Sequence, residues 1–265
     1  MDMEIRRHME SSCGDSMVGV QAFVSGESYI FLLFNREMLL AGVTLQRVGS
    51  HVYIKNVDTT GYERGHARRF ITSILKALSP ELSCCFSTPK SEYIFNGSSQ
   101  NKGKVIREPG ELLEYWIGIF EDLYDDLHVW SNHYENISYP FKHLDEVVYF
   151  EDDPKERLKK HFVGSLEEMF AVLLCRADFT NGSLVYGRLC KYVGCGMVEA
   201  EAGDVYGMEA MLRTLDFSTH SMALKSTEKF ISRFGLDIEY FPSKRTARPK
   251  KSEQACIVLN PTRKA

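Results

Sequence analysis

The chain has 265 residues, of which 44% are hydrophobic and 26% charged, and its formal net charge is −4 at neutral pH. These proportions are typical of a globular protein and exclude intrinsic disorder, collagen and coiled-coil arrays. No stretch approaches the roughly 18 consecutive apolar residues of a membrane span, and the first eight residues lack the apolar core of a secretory signal. The seven cysteines form no C-x-x-C pair, which favours reduced thiols, with a zinc site that includes Cys190 and Cys195 as the alternative.

In chain order, apolar runs predict strands and apolar residues at helical spacing predict helices. The predicted strands cover 29–34, 38–46, 51–57, 82–87, 93–95, 127–131, 146–150 and 183–193. The predicted helices cover 62–78, 111–123, a segment from 154, 165–175, 205–212 and 222–234. We therefore expect a mixed α/β fold with a central sheet flanked by helices. One domain is expected over residues 1–242, followed by a basic tail over 243–265 with a possible terminal strand at 255–259.

Charge is distributed unevenly along the chain. Residues 108–153 contain thirteen acidic side chains and one basic side chain, whereas residues 243–265 contain seven basic side chains and one acidic side chain. Dense acidic surface attracts basic partners and repels nucleic acid, although solvated helix faces are an equally simple explanation. The tail is either a nuclear-localisation or docking segment or a soluble chain end.

The segment that follows the strand at 52–57 has the features of a phosphate site. Asp58-Thr59-Thr60-Gly61 leads into a helix whose first turns hold Arg64, His66, Arg68 and Arg69. A helix N-terminus offers unpaired N–H groups and positive potential, and arginine adds donors for phosphate oxygens. The alternative is a capped loop with solvated arginines. The chain lacks the P-loop, G-x-G-x-x-G, H-E-x-x-H and G-x-S-x-G motifs, which argues against the enzyme classes that use them.

A second candidate segment is acidic. Asp152 and Asp153 precede Pro154-Lys155, which is typical of a capped helix start. The same carboxylates could hold a cationic substrate or orient a reactive lysine. Trp130 lies in a polar stretch and is either a core residue or an aromatic wall for the aliphatic stem of a lysine.

Four blocks, in order along the chain, resemble one known family. They are residues 52–61 (VYIKNVDTTG), 93–104 (YIFNGSSQNKGK), 150–157 (FEDDPKER) and 166–187. The family is that of the fungal-type histone H3 lysine acetyltransferases, which includes the yeast regulator of Ty transposition and is structurally related to the CREB-binding-protein acetyltransferases. The third block is the most specific, with Glu151 in place of the family's proline. The chain is similar to the family but shorter between Trp116 and Phe150.

The resemblance implies roles for the residues of the first two segments. Asp58 would lie at the mouth of an acetyl-CoA cleft and be needed for activity. Thr59 and Thr60 would line the path of the pantetheine arm, and Arg68 and Arg69 would contact the CoA phosphates. Replacing Asp58 by Asn would then lower turnover at an unchanged melting temperature.

The resemblance also implies how the acceptor lysine is handled. Lys155 matches a lysine that the family autoacetylates and buries beside the active site, and Asp152, Asp153 and Arg157 would hold that segment. Trp130 is a candidate for the family's tunnel tryptophan, with Tyr134 and Tyr139 as rivals. Chemistry would be direct attack of a deprotonated lysine on the thioester, promoted by positioning and desolvation.

The partners implied are histone H3 with H4, presented by Asf-type or NAP-type histone chaperones, in a nuclear protein of chromatin assembly, transcription regulation or the DNA-damage response. Direct nucleic-acid or membrane binding is not expected, nor is a metal. Two alternatives remain. One is a GCN-type N-acetyltransferase, because residues 64–67 resemble part of its pyrophosphate loop. The other is a catalytically degenerate module that binds histones or chaperones.

Overall fold

The computed structural model describes residues 5, 9, 16–62, 65–87, 90–131, 163–164, 183–188 and 200–243. The strands in this part of the chain are β1 Ser16–Ser25, β2 Ser28–Asn35, β3 Leu39–Val48, β4 His51–Thr59, β5 Leu82–Ser87, β6 Asp126–Ser131, β7 Ser183–Arg188, β8 Glu201–Ala202 and β9 Tyr240–Ser243. The helices are α1 His66–Leu78, α2 Pro109–Glu121, α3 Val205–Leu212 and α4 His220–Phe234, with a 3₁₀ turn at Ser98–Gln100.

Across the described ranges, these nine strands form one mixed sheet. Its order is β6-β7-β5-β4-β3-β2-β1, and both β8 and β9 pair with the remaining edge of β1. Strands β1 to β4 form an antiparallel meander, because two-residue turns at Gly26-Glu27 and Gly49-Ser50 join β1 to β2 and β3 to β4. Strands β4 and β5 are parallel, as are β1 and β8.

Helix α1 is the crossover that a parallel β4–β5 pair requires. Its apolar residues recur at helical spacing, and Phe70, Ile71, Ile74 and Leu78 are buried in the core. The helix ends at Leu78, and the N–H of Ser79, which follows in a left-handed conformation, donates to the carbonyl of Leu75. Because β4 leads directly into the loop before α1, the sheet determines where that loop lies.

Helix α2 packs against β5, β6 and β7 through its buried residues Trp116 and Phe120. Gly187 of β7 makes this approach possible, because a Cβ at that position would overlap the ring of Tyr124. The Tyr124 hydroxyl hydrogen-bonds to Ser83 of β5, and burial raises its pKa above the usual value. The segment after α2 is therefore fixed to the sheet.

Helices α3 and α4 pack on β1, β2 and β3 and begin at side-chain caps. Asp204 accepts a hydrogen bond from the N–H of Gly207, and Thr219 accepts one from Met222. Within α3, the buried carboxylate of Glu209 is paired with Arg213 at 2.6 Å. None of the described helices is both long and apolar enough to span a bilayer.

The expectation of a mixed α/β fold with a central sheet flanked by helices is confirmed. Two element predictions are wrong. Helix α1 begins at residue 66 instead of 62, and residues 93–95 form a loop instead of a strand. Strands β1, β8 and β9 were not predicted. The predicted elements at 146–150, from 154, at 165–175 and at 255–259 lie outside the described residues, as does the end of the strand predicted over 183–193.

Strand β9 gives the predicted boundary at residue 242 a direct test. Phe241 is fully buried, and β9 pairs with β1 up to Ser243. We expect a chain that ends at Ser243 to melt within a few degrees of the full chain. A chain that ends at Glu239 loses the Phe241 side chain from the core, which costs about 3–5 kcal/mol, and should melt about 10 °C lower. Thermal melting by circular dichroism checks both. Equal melting of the two truncated chains would contradict the placement of β9.

Candidate functional site

The candidate site begins at the carboxyl end of β4, where Asp58 is almost fully buried. Its Oδ2 accepts hydrogen bonds from three successive backbone N–H groups, those of Tyr93 at 2.7 Å, Ile94 at 2.7 Å and Phe95 at 3.0 Å. This explains why residues 93–95 are a loop: their N–H groups point to a carboxylate and not to a neighbouring strand. Asp58 is thus a structural anchor, and the expectation that Asp58→Asn leaves stability unchanged does not fit its surroundings.

The other oxygen of the Asp58 carboxylate has two partners. Oδ1 accepts from the N–H of Thr59 at 2.7 Å and from the ammonium group of Lys104 at 2.7 Å. The exposed fractions of the two side chains in this ion pair are 6% for Lys104 and 3% for Asp58, so water does not screen it. The Lys104 ammonium also donates to the hydroxyl of Ser98.

The loop from residue 92 to residue 104 is braced at its other side by Glu92. Its carboxylate accepts from the N–H groups of Gly97 and Ser99, both at 3.0 Å, and from the Ser99 hydroxyl. Burial alone would raise the pKa of Glu92, but these hydrogen bonds and the charge of Lys104 hold it below its usual value. The carboxylates of Asp58 and Glu92 thus hold the backbone of this loop in place.

Two glycines let the loop lie directly against the residues that follow β4. A Cβ on Gly61, which has a φ of 84°, would lie 2.6 Å from the backbone nitrogen of Lys104. A Cβ on Gly103 would overlap the carbonyl oxygen of Gly61. Asn101 completes the junction by donating to the carbonyl of Thr60 at 2.9 Å. The backbones of the two segments are in contact, which only glycine permits.

The two threonines have different environments. Thr60 is fully buried, and its hydroxyl donates to the carbonyl of Leu39 in β3 at 2.9 Å. Thr59 is half-buried at the end of β4. Of the two residues expected along a pantetheine path, Thr59 therefore has the side chain that a ligand could reach, while Thr60 ties the loop to the sheet.

The first turn of α1 carries the two arginines that were expected to contact phosphate. No side chain caps the helix at Gly65, and the first turn contains no acidic residue. Arg68 reaches across to α2, where its guanidinium donates to the carbonyl of Gly118 and pairs with Asp122 at 2.9 Å. Burial lowers the pKa of the half-buried Arg69 guanidinium from its usual value, and the group stays charged at neutral pH.

The pairing of β6 with β7 fixes the position of the Trp130 backbone. Trp130 lies in β6 opposite Leu184 of β7. Strand β6 runs in the same direction as β4, and β5 and β7 separate the two, a distance of about 14 Å at ~4.8 Å per strand. Trp130 and Asp58 thus lie toward the same end of the sheet. Asp152, Asp153, Lys155 and Arg157, with Tyr134 and Tyr139, lie outside the described residues.

The cysteines of β5, Cys84 and Cys85, are buried and form no disulfide. Among the residues that the structure describes, no group of three histidine, cysteine, aspartate or glutamate side chains could hold a metal ion. Cys190 and Cys195 lie outside those residues.

Comparison with solved structures gives a match over almost the whole chain. The crystal structure of Rtt109 from Aspergillus fumigatus superposes with a TM-score of 0.66 over 92% of this chain and 100% of that chain, at 12% sequence identity. The chain has the Rtt109 fold. The fold expected from the four motif blocks is thereby confirmed. No protein-family model matches the chain, and no curated protein matches it by sequence. At this identity, the likeness to Rtt109 is one of fold alone.

Sequence reasoning missed most of the residues that build the site around Asp58. Ser98, Asn101 and Lys104 belong to the second block of the Rtt109-like pattern, so the pattern carried a signal for them without a role. Glu92 carried no signal, because one acidic residue in a loop is indistinguishable from a solvated one until its hydrogen bonds are known. The hydrogen-bond partners of Asp58 are distant in sequence, so only the folded structure identifies them.

The two glycine contacts predict a large difference between similar substitutions. Gly103→Ala forces a methyl group into the backbone of Gly61 and should cost about 1–3 kcal/mol or more. Gly110→Ala is the matched control, because nothing lies within 4 Å of a Cβ there and alanine suits the first turn of α2. Its stability should be unchanged or higher by up to about 1 kcal/mol. Urea unfolding checks both; equal stabilities would contradict the close contact of the two loops.

Proposed function

We propose that this protein is a lysine acetyltransferase that transfers the acetyl group of acetyl-CoA to histone H3. The observation that carries the proposal is that the first two motif blocks are in contact in the folded chain. Residues 52–61 and 93–104 are separate in sequence, yet the Asp58 carboxylate bonds to both. The chain also has the Rtt109 fold over 92% of its length. The two observations together support the proposal that the motif blocks form a site like that of Rtt109, and argue against a chance similarity of short motifs.

The residues at the start of α1 fit a CoA moiety. The first-turn N–H groups of α1 have no side-chain cap, the first turn itself contains no acidic residue, and Arg68 and Arg69 add positive charge. We propose that these two arginines hold the CoA phosphates and that Thr59 and the backbone of residue 60 line the pantetheine path. A phosphate that binds Arg68 would compete with Asp122, which is 60% exposed and therefore a weak partner.

The chemistry proposed for the chain is positioning. Bound acetyl-CoA would supply the thioester: the lysine Nζ would form a C–N bond to the acetyl carbonyl carbon, the C–S bond would break, and CoA would leave as the thiol with the proton that the amine loses. Asp58 would keep the entrance of the site in shape, while Asp152, Asp153 and Arg157 would hold the segment that contains Lys155, the proposed autoacetylated lysine. Trp130 would form an apolar wall for the substrate lysine, whose stem is aliphatic. Exclusion of water would favour the neutral amine, which is the nucleophile.

Surface charge supports a basic partner. On α2, Glu111, Glu114 and Glu121 are exposed, and Asp122 and Asp125 continue the acidic surface beyond the helix. The sequence from 108 to 131 contains no lysine or arginine. This surface would attract histone H3 with H4 and reject nucleic acid. We propose a nuclear protein that acts with histone chaperones of the Asf or NAP type in chromatin assembly or the DNA-damage response.

The test is incubation of the purified chain with acetyl-CoA and H3–H4, with and without a histone chaperone, followed by mass spectrometry. We expect acetylated H3, faster with the chaperone, and an acetyl group on Lys155. Lys155→Arg should lower the rate at least tenfold. Lys76→Arg, at an exposed position in the last turn of α1, is the matched control and should stay within twofold of the unsubstituted chain.

Two other outcomes would replace the proposal. Unmodified histone in every condition, from protein that still binds H3–H4, would indicate the non-catalytic docking module. Acetylation of amines without preference for H3 and without response to a chaperone would indicate an acetyltransferase of the GCN type.

A further inference from the structure

We infer that Lys104 is a positioning residue of the proposed acetyl-CoA site. Its buried ammonium group fixes the Asp58 carboxylate, and through that carboxylate it fixes the backbone of residues 59–61, along which the pantetheine arm is proposed to run. The inference rests on the proposed function, because it concerns the same site. It adds a residue that acts through another and does not touch the substrate.

The ion pair between Lys104 and Asp58 is isolated from water. The Lys104 ammonium lies 2.7 Å from Asp58 Oδ1 and also donates to Ser98. Only 6% of the Lys104 side chain is exposed to solvent. A buried charge without its partner is strongly unfavourable. Loss of the ammonium would therefore leave the Asp58 carboxylate as an uncompensated buried charge that is driven to move toward water.

The Asp58 carboxylate holds two segments of the backbone. Oδ1 accepts from Thr59, the first residue of the proposed pantetheine path, and Oδ2 accepts from residues 93–95. Opposite Asp58 in β3 is Gly42, where the side chains of Ile94 and Phe95 lie 3.3 and 3.1 Å from the position that a Cβ would occupy. The carboxylate is thus enclosed by the loop that it anchors, and its displacement would move both segments.

Lys104 differs from a lysine that could accept an acetyl group. Its ammonium is committed to a carboxylate and a hydroxyl, so its nitrogen offers no lone pair for attack on a thioester. The backbone of Lys104 also packs against Gly61. Side chain and backbone together therefore make Lys104 a brace for the residues after β4.

The experiment compares three variants with the unsubstituted chain. Lys104→Met removes the charge and keeps the length of the stem. The double variant Asp58→Asn with Lys104→Met removes both charges. Arg213→Met is the matched control, because it breaks an ion pair of the buried Glu209 on α3 while Glu209 keeps the hydrogen bond that it accepts from Asn56 of β4. Amide hydrogen exchange by mass spectrometry and acetyl-CoA affinity by calorimetry are measured well below the melting temperature of the least stable variant.

In Lys104→Met we expect exchange at least tenfold faster in peptides that cover 59–62 and 93–97, and an acetyl-CoA Kd at least tenfold higher. Arg213→Met should leave both within twofold. The double variant leaves no uncompensated charge, but the amide that Asp58→Asn introduces has one acceptor oxygen and cannot accept from both Thr59 and residues 93–95, so its Kd should stay at least tenfold higher than that of the unsubstituted chain.

Two results would overturn the inference. One is an acetyl-CoA Kd unchanged in Lys104→Met. The other is faster exchange spread evenly over the sheet, which would indicate general destabilisation. If the unsubstituted chain binds no acetyl-CoA, the proposed function fails and the inference with it; if that chain binds and Lys104→Met binds equally, the inference alone fails.

Discussion

The buried ion pair between Asp58 and Lys104 is the interaction on which the candidate site depends. One carboxylate accepts from an ammonium group and from four backbone N–H groups, and those donors belong to two segments that are distant in sequence. Removal of one partner from a buried ion pair typically costs about 3–5 kcal/mol, because the remaining charge is left uncompensated. The conformation of the loops around the end of β4 therefore depends on the hydrogen bonds and the ion pair of the Asp58 carboxylate as much as on apolar packing.

The rest of the fold brings these groups together. The register of the β1–β4 meander determines where β4 ends. The parallel pairing of β4 with β5 then requires the crossover helix α1 to begin next to that end. Arg68 then links the first turn of α1 to α2, while Phe95 packs on Phe217 just before α4, with ring centroids 5.1 Å apart. The uncapped start of α1 and the hydrogen-bonded loop beside it thus follow from the order of the elements.

Much of this architecture could be predicted from the sequence, because periodicity reports on local structure. The apolar faces of α1 and α2 and the strands β2 to β4 are encoded within short windows, and all of them were predicted. Strand β1 was missed, and residues 93–95 were mistaken for a strand because their apolar side chains resemble one. Their N–H groups bond to a carboxylate that lies 35 to 37 residues earlier in the chain. No local pattern encodes such a partner, and for the same reason the role of Lys104 needed the folded structure.

The most direct test of the account is a crystal structure of the protein bound to CoA. We expect the phosphates to lie at the first turn of α1 beside Arg68 and Arg69. We expect the pantetheine arm to follow Thr59 and the backbone of residue 60, and the Asp58–Lys104 ion pair to be intact. CoA bound elsewhere on the sheet, or bound beside α1 with the ion pair broken, would contradict the view that this pair shapes the site.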